Sequence, residues 1–322
     1  MELHVHLDTS LSYSLVKTLN PDITPHDFNR SFIGPKRFKD LSQFIDKIVP
    51  ALALLQTRQA LALAVEDLVA QLASDNVIHG EIRFAPLLHM EAGLSAEEVV
   101  ETALQAMHKA AAEHKMSCGM ILCTLRHYTQ KQSMQTAELV TRYAKQGVVA
   151  LDLAADEAGF PLPPHIGAFE QVRAAGVEVI AHAGEAKGPQ SVIETINQLK
   201  VSRMGHGVRA IEHPDAVDLI KEKGIHLEIC PSCNLQTHMY SHLGQHPVDE
   251  LKRLDISLNI NTDARTISNV TLDEEYFRIY RQFGWTEQDF IKTNIDALNA
   301  AFIPQEQKDA LFARHFAALQ GE

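Results

Sequence analysis

Eight short runs of apolar, β-prone residues alternate with helical segments along the chain, and this alternation limits the fold more than any other feature. Strands separated by helices are expected to be parallel, because a crossover helix returns the chain to the same edge of the sheet. Eight such units predict a TIM (β/α)8 barrel. The alternative, a doubly wound open sheet, usually has a glycine-rich first turn that is missing here. The predicted strands are ELHVHL, VIHGEIRFAP, SCGMILCTL, VVALDLA, VEVIAHA, RMGHG, IHLEIC and ISLNINTD, starting at Glu2, Val77, Ser117, Val148, Val177, Arg203, Ile225 and Ile256.

The helical segments between the strands carry recognisable start and stop signals. Ser95 with Glu98 three residues later predicts a capping box at the start of one helix. A second helix is predicted from Ser133, with Gly147 as its stop. The gap between the first two strands is far longer than the others, and RFKDLSQFIDKIVPALALL within it predicts an inserted helical cap over one mouth of the barrel. The tail after the last strand is also helical, and we expect a single domain over residues 1–322.

Charge and composition exclude several classes of protein. The chain has 41 acidic and 29 basic residues and a net charge of -12, without the basic stripe of a nucleic-acid-binding protein. We find neither a long apolar run nor a signal peptide before the first strand, so we expect no membrane partner. Four cysteines are too few for a disulfide scaffold in a chain of this length. A cytoplasmic protein, as a monomer or homodimer, is therefore expected.

Histidines and one aspartate recur at the carboxyl ends of predicted strands. His4 and His6 are two residues apart and point to the same side of the first strand. His182 and Asp263 lie at the ends of the fifth and eighth strands, where barrel active sites gather. Three imidazoles and one carboxylate suit zinc, with an open position for a water whose pKa falls to about 7. The alternative for the HVH pair alone is a half-buried strand with polar alternation.

Two further residues supply groups for proton transfer. Glu185 follows His182 by three residues, and a partly desolvated carboxylic acid there would hold a raised pKa and donate a proton. His206, at the end of the sixth strand, is expected to take the proton from the zinc-bound water. The alternatives are a carboxylate at a helix N-terminus and a fourth imidazole ligand. The fourth strand, VVALDLAAD, lacks the lysine that bridges two metals in related barrels, so one metal is expected.

The motifs MELHVHLD, HAGE, GHG and NTD, together with EIRFAP, DLAADE and CPSCN, resemble the adenosine deaminase family of mononuclear zinc amidohydrolases. The resemblance spans nearly the whole chain. It implies attack of a zinc-bound hydroxide on purine C6, converting adenosine or 2'-deoxyadenosine to the inosine product and ammonia. It also implies one zinc ion per chain, held by His4, His6, His182 and Asp263.

The resemblance assigns further roles residue by residue. Glu185 would protonate purine N1, His206 would be the base and electrostatic partner of the hydroxide, and Asp263 would also orient it. Asp8 looks like the residue that binds the ribose 5'-hydroxyl, and the backbone N–H of Ala155 would meet purine N3, at a position that usually holds glycine. The helix with Leu41, Phe44, Ile45 and Ile48 resembles an apolar lid beside the ribose; core packing is the alternative.

Departures from the family pattern concern recognition of the substrate. Thr9 replaces a glycine, and Cys233 stands where serine is common. Ala264 replaces an aspartate that binds purine N7, and Arg265 follows it. These changes favour a second hypothesis, in which the substrate is adenine, an N6-substituted adenine nucleotide or another 6-aminopurine. Arg265 would then meet a phosphate, unless it forms a salt bridge. A zinc-bearing scaffold or a different hydrolase would retain the fold without this chemistry.

Other motifs have simpler interpretations. Cys230 and Cys233 form a CxxC at the end of the seventh strand, which we interpret as packing and not as a zinc ribbon. His242 and His246 are expected in a surface loop. Glu81 and Arg83 are expected to make an ion pair or backbone contacts.

Overall fold

Eight parallel strands form the centre of the computed structural model, which describes residues 1–39 and 41–320, without the side chains at 41, 42, 46 and 320. Each strand pairs with the next one along the chain, in the order β1 to β8. All eight predicted strands are confirmed. They are β1 (Glu2–His6), β2 (His79–Phe84), β3 (Ser117–Leu125), β4 (Val148–Ala154), β5 (Glu178–Ala183), β6 (Arg203–His206), β7 (His226–Ile229) and β8 (Leu258–Ile260).

The sheet closes on itself at the carboxyl end of the first strand. The backbone N–H of His6 donates to the carbonyl of Asp263 at 2.8 Å, and the N–H of Asp263 donates to the carbonyl of His4 at 2.9 Å. Closure removes the exposed edges of the sheet. The predicted TIM barrel is therefore confirmed, and its seam runs through three residues of the predicted metal site.

Helices surround this barrel and follow its strands. They are α1 (Tyr13–Leu19), α2 (Pro25–Ser31), α3 (Leu41–Asp46), α4 (Val49–Leu54), α5 (Arg58–Ser74), α6 (Ala96–His114), α7 (Gln130–Tyr143), α8 (Pro163–Ala174), α9 (Pro189–Leu199), α10 (Pro214–Lys223), α11 (Pro231–Gln236), α12 (Val248–Arg253), α13 (Arg265–Ser268), α14 (Leu272–Phe283), α15 (Glu287–Ala300) and α16 (Gln305–His315). Short 3-10 turns occupy Pro86–His89, Ala144–Gln146, Val208–Glu212, Leu243–Gln245 and Ala317–Gln320. Across residues 1–39 and 41–320, the helices are all too short or too polar to cross a membrane.

The helix boundaries follow the capping chemistry. The capping box of Ser95 and Glu98 is present at the start of α6, as predicted. Helix α7 begins earlier than the expected Ser133, because Thr129 and Gln132 form a second capping box. A 3-10 turn follows α7 and ends at Gly147, whose φ of 110° suits glycine.

The insertion between β1 and β2 contains five helices, α1 to α5. The segment predicted as one cap helix is divided into α3 and α4, with Pro50 in the first turn of α4. Proline is tolerated in the first turn, where its missing N–H would have no partner, but it disrupts a helix interior, so one continuous helix through Pro50 is disfavoured. Helix α5 packs into the main apolar core instead, through residues such as Leu61, Leu68 and Leu72. Only part of the insertion can therefore cover the barrel.

Helix α15 and the end of the chain cover the amino ends of the strands. Ala297 and Leu298 of α15, with Phe316, form an apolar cluster with Met1 and Leu3. Both tail segments predicted as helical, DEEYFRIYRQFG and EQKDALFARHFAAL, lie on helices α14 and α16. Part of the opposite mouth, at the carboxyl ends of the strands, is covered by α3 and α4.

A network of buried charges occupies the interior of the barrel. Arg83 bonds Asp152 at 2.9 Å and Glu228 at 2.6 Å. Arg203 bonds the other oxygen of Glu228 at 2.5 Å and pairs with Glu81 at 2.7 Å. Glu81 and Arg83 are thus each in an ion pair, but with different partners. Glu81 and Arg83 are two residues apart on β2, so both side chains face the barrel interior, but at different heights, and they reach different partners.

Replacing Arg83 by methionine should leave Asp152 without its cationic partner inside the barrel. Breaking a buried ion pair from one side typically costs about 3–5 kcal/mol, since the remaining charge is desolvated and uncompensated. We expect a loss of that size in the free energy of unfolding, measured by urea denaturation at neutral pH. The control is Arg142→Met, which removes the exposed pair with Glu97 and should change stability by less than about 1 kcal/mol. Equal effects of the two substitutions would contradict a stabilising role for the buried pair.

Candidate active site

Four predicted ligand residues converge at the carboxyl ends of the strands. The Nε2 atoms of His6 and His182 are 3.3 Å apart. The Oδ1 atom of Asp263 is 3.4 Å from Nε2 of His4 and 3.5 Å from Nε2 of His6. His4, on the same face of β1 as His6, is completely buried. The folded barrel therefore brings three imidazoles and one carboxylate to a common point.

Buried carboxylates hold two of these imidazoles from behind. Nδ1 of His4 is 2.8 Å from Glu228, and Nδ1 of His182 is 3.2 Å from Asp152. An ionised carboxylate only accepts hydrogen bonds, so in the neutral form of each ring Nδ1 carries the proton and Nε2 does not. Nε2 of His4 is buried without a hydrogen-bond partner among the described atoms. An unprotonated, unpartnered nitrogen of this kind fits a bound cation.

Other donor groups also lie close enough to be considered. The ligand atoms of His4, His182 and His206 lie within 4.8 Å of one another, as do those of His4, Cys230 and Asp263. Burial raises the pKa of the Cys230 thiol well above its usual range, so this sulfur stays protonated. Nδ1 of His206 already accepts a hydrogen bond from Asn234 at 3.0 Å. The set of three imidazoles and Asp263 therefore fits zinc better than either alternative.

Glu185 and His206 lie beside this cluster. Nε2 of His206 is 3.5 Å from a carboxyl oxygen of Glu185 and 3.7 Å from Oδ2 of Asp263. Burial, and then the negative charge of Asp263, raises the pKa of Glu185 well above its usual range. A carboxyl group that remains protonated near neutral pH can donate a proton to a bound molecule. Glu185 precedes α9 and its cap, so its side chain is not the N-terminal carboxylate of that helix.

Glu157 supports the loop of the candidate site and was not among the residues predicted from the sequence. Its carboxylate accepts hydrogen bonds from the backbone N–H groups of Gly184, Glu185 and Lys187, at 2.8, 3.0 and 2.9 Å. These bonds fix the loop that carries Glu185. The residue lies in the DLAADE motif, but its partners are about one βα unit away in sequence, and no local pattern indicates them.

Backbone strain accompanies three of the predicted site residues. His206, Asp263 and Ala155 have φ values of 62°, 61° and 75°, in the left-handed region that disfavours residues with a side chain. Such conformations cost about 1–3 kcal/mol each and persist where the surroundings enforce them. The φ of Ala155 explains why glycine suits this position, and its methyl group narrows the cavity beside it.

A cavity of about 200 Å³ opens onto the cluster. Of the predicted substrate-binding residues, Asp8, Phe44 and Ala155 line it, together with Thr9. The side chain of Leu41 lies outside the described part of the chain. Burial raises the pKa of Asp8 to about 6. Apolar side chains of α3 and α4 form much of the remaining wall: Ile45, Ile48, Val49 and Leu52.

Neither lysine nor arginine is found among the described residues that line this cavity. Arg265 instead bonds Asp75 at 2.7 Å and Gln71 at 3.1 Å, so it forms the salt bridge that was the alternative to a phosphate contact. Arg209 lines a neighbouring cavity that shares Glu185, and its guanidinium is paired with Glu212 at 2.7 Å.

The remaining departures from the family pattern are accommodated by packing. Ala264, Cys230 and Cys233 belong to a buried apolar cluster with Phe38 and Phe44, which confirms packing as the role of the CxxC motif. Ala264 thus packs in the same cluster as Phe44 of α3.

The two loop histidines, His242 and His246, differ in their exposure to solvent. His242 is exposed, as predicted for a surface loop, but His246 is only 3% exposed, and that prediction is wrong for it. His246 bonds Asn234, which in turn bonds His206, so it lies behind the active site.

A larger cavity, of about 770 Å³, lies at the other end of the barrel and includes Val148 and Glu178, the first residues of β4 and β5. Active sites of TIM barrels lie at the carboxyl ends of the strands, so the smaller cavity is the candidate site.

Known proteins resemble this chain in both sequence and structure. The sequence model of the family described as "Adenosine deaminase" matches residues 1–316. Proteins named adenosine deaminase are 34% identical in Lacticaseibacillus casei, covering 96% of this chain and 93% of theirs, and 31% identical in Clostridium perfringens, covering 97% and 96%.

Solved structures show the same fold at lower identity. An adenine deaminase from Arthrobacter aurescens has a TM-score of 0.90 at 21% identity, covering 99% of this chain and 98% of its own. An amidohydrolase from Burkhoderia ambifaria with bound Zn has a TM-score of 0.87 at 20% identity, covering 97% and 88%. An Arabidopsis N6-mAMP deaminase has a TM-score of 0.87 at 21% identity, covering 97% and 95%.

The family match over nearly the whole chain agrees with the strand-end cluster and the adjoining cavity. The chain therefore belongs to the adenosine deaminase family and is a hydrolytic aminopurine deaminase.

Proposed function

We propose that this protein deaminates adenosine and 2'-deoxyadenosine at purine C6, releasing ammonia and the inosine product. The observation that carries the proposal is one cavity whose described lining has no lysine or arginine and in which Glu185, with its raised pKa, faces the cluster of His6, His182 and Asp263. Relatives at 31–34% identity that are named adenosine deaminase support the same substrate class.

The metal is proposed to be one zinc ion held by His4, His6, His182 and Asp263. When bound there, zinc supplies a Lewis acid that makes a water molecule acidic near neutral pH. The protein contributes the orientation of the donors, because Glu228 and Asp152 fix two of the imidazoles. The bound Zn in the related amidohydrolase supports this choice of metal.

Glu185 is proposed to donate its proton to purine N1. Protonation at N1 draws electrons from C6 and makes that carbon a better electrophile for the attacking oxygen. Burial keeps the proton on Glu185 until a ring nitrogen arrives, and the loop bonds of Glu157 hold the carboxyl in place. Asp263 orients the attacking water, and His206 lies between the two carboxyl groups.

A nucleoside fits the cavity better than a nucleotide. A phosphate would enter a space whose described lining offers no lysine or arginine and whose walls are largely apolar. Asp8 is proposed to accept a hydrogen bond from the ribose 5'-hydroxyl, and Phe44 to cover the sugar. The second candidate is free adenine. The cavity is small and the methyl group of Ala155 narrows it further, which favours a substrate without a ribose.

Comparison of kcat/KM for adenosine, 2'-deoxyadenosine, adenine, AMP and N6-methyl-AMP tests the substrate. We expect both nucleosides to exceed AMP and N6-methyl-AMP by at least tenfold, about 1.4 kcal/mol of discrimination. A preference of that size for a nucleotide would contradict the proposal, and a preference for adenine would select the second candidate.

Asp8→Ala separates nucleoside recognition from base recognition. Losing a hydrogen bond to a charged group costs about 1.5–3 kcal/mol, so kcat/KM for adenosine should fall about 10- to 150-fold. Turnover of adenine, which has no 5'-hydroxyl, should change little. The matched control is Asp22→Ala at an exposed position. Equal losses on both substrates would show that Asp8 does not read the ribose.

Glu185→Gln tests the proton donor. Loss of a general acid typically lowers the rate about 100- to 10,000-fold, and kcat should fall within that range. Zinc content, measured by atomic absorption, should stay at one per chain because Glu185 is outside the proposed ligand set. Glu194→Gln, at an exposed position of α9, is the control. Turnover like that of the wild type in Glu185→Gln would refute the assigned role.

A further inference from the structure

The imidazoles around the candidate metal site receive opposite kinds of hydrogen bond at Nδ1. His4 and His182 face carboxylates there, but His206 faces the side-chain amide of Asn234. We propose that Asn234 and His246 are positioning residues that hold His206 as the tautomer with its proton on Nε2, which makes His206 a hydrogen-bond donor in the active site. The tautomer rests on contacts of this chain alone, and its catalytic consequence rests on the proposed function.

A backbone N–H group fixes the position of the proton on His246. The backbone N–H of Val248 points at Nδ1 of His246, at 3.2 Å. A backbone amide nitrogen can only donate, so Nδ1 of His246 accepts and carries no proton. Burial lowers the pKa of His246 to about 3, so the ring is neutral and its one proton is on Nε2. His246 must therefore donate through Nε2.

Asn234 links the protonation of His246 to that of His206. Nε2 of His246 is 3.1 Å from Oδ1 of Asn234, which accepts its proton. The side-chain nitrogen of Asn234 is then the end that faces Nδ1 of His206, at 3.0 Å. An amide NH2 only donates, so Nδ1 of His206 accepts and the proton of the neutral ring is on Nε2. Asn234 is completely buried, and rotating its amide by half a turn would oppose donor to donor at His246.

Nε2 of His206 points at two acceptors. It is 3.5 Å from Glu185, the proposed proton donor, and 3.7 Å from Asp263, which is proposed to orient the attacking water. A ring whose Nε2 carries a proton cannot bind a metal through that atom, and Nδ1 is occupied by Asn234. The fourth-ligand interpretation of His206 is therefore disfavoured, although its ring lies close to His4 and His182.

The same tautomer revises the expected role of His206 as a base. With Nε2 already protonated and Nδ1 accepting from Asn234, the neutral ring has no free site for another proton. It can instead donate a hydrogen bond to the attacking oxygen as negative charge develops there. The proton lost by that oxygen must go to a carboxylate of the cluster, Asp263 or a Glu185 that has already protonated the purine.

Nitrogen NMR of the full-length, zinc-loaded protein labelled with 15N-histidine tests the tautomer directly. The His206 signals are identified by their loss in His206→Gln. At neutral pH we expect Nδ1 with the chemical shift of an unprotonated ring nitrogen and Nε2 with that of a protonated one. The reverse pattern, or protons on both nitrogens, would overturn the proposal. This result does not depend on turnover, so it stands apart from any failure of the proposed function.

The variant Asn234→Asp should reverse the direction of the hydrogen bond at Nδ1 of His206. A carboxylate keeps the shape of the amide but accepts from His206, so Nδ1 should gain a proton in the same NMR experiment. In a serine protease, the wrong tautomer of a catalytic histidine costs about 10,000-fold in kcat. We expect kcat to fall at least about 100-fold, with KM changed less than about threefold. An unprotonated Nδ1 or an unchanged kcat would contradict the proposal.

A pair of histidine variants controls for damage to the loop. His246→Phe removes the donor that orients Asn234, so the protonated nitrogen of His206 should no longer be uniquely Nε2 and kcat should fall. His242→Phe, four residues away and exposed, should leave both unchanged. If His246→Phe keeps the tautomer of His206 and the kcat of the wild type, His246 is not a positioning residue.

Discussion

The guanidinium of Arg83 lies between two buried carboxylates, and the candidate active site depends on this arrangement. Asp152 binds Arg83 through one oxygen and His182 through the other. Glu228 binds both Arg83 and His4 through one oxygen, and Arg203 through the other. Without a cation below them, ionised carboxylates in the barrel interior would be prohibitively desolvated. The buried guanidinium groups of Arg83 and Arg203 thus keep both carboxylates ionised. These carboxylates bind Nδ1 of His182 and His4, which leaves the Nε2 atoms of the neutral rings without a proton.

Closure of the barrel and assembly of the site are the same structural event. The backbone of Asp263 bonds His4 and His6 across the seam between the last and first strands, and the side chains of these residues meet just above it. Asp263 and His206 have left-handed backbone conformations, which cost conformational energy. The surrounding hydrogen bonds hold both residues in these conformations. Residues from opposite ends of the chain therefore form one cluster only in the closed barrel.

The fold and the strand-end residues could be predicted because their signals are local. Apolar runs mark the strands, and residues at their carboxyl ends share one face of any parallel barrel. The roles of Glu157, Asn234 and His246 could not be predicted in this way, since each depends on a contact between different loops. His246 has the sequence context of a surface loop, and only tertiary packing buries it beside Asn234. For the same reason, the partner of Arg83 was not evident from its spacing to Glu81.

The most direct test of the account follows the ultraviolet spectrum of adenosine during incubation with the protein before chelation, after chelation and after zinc is restored. The account predicts conversion to the inosine spectrum, its loss on removal of the metal, and its recovery when one zinc ion per chain is bound. Conversion by the metal-free protein would contradict the proposed metal site. Bound zinc without conversion of adenosine would contradict the proposed substrate.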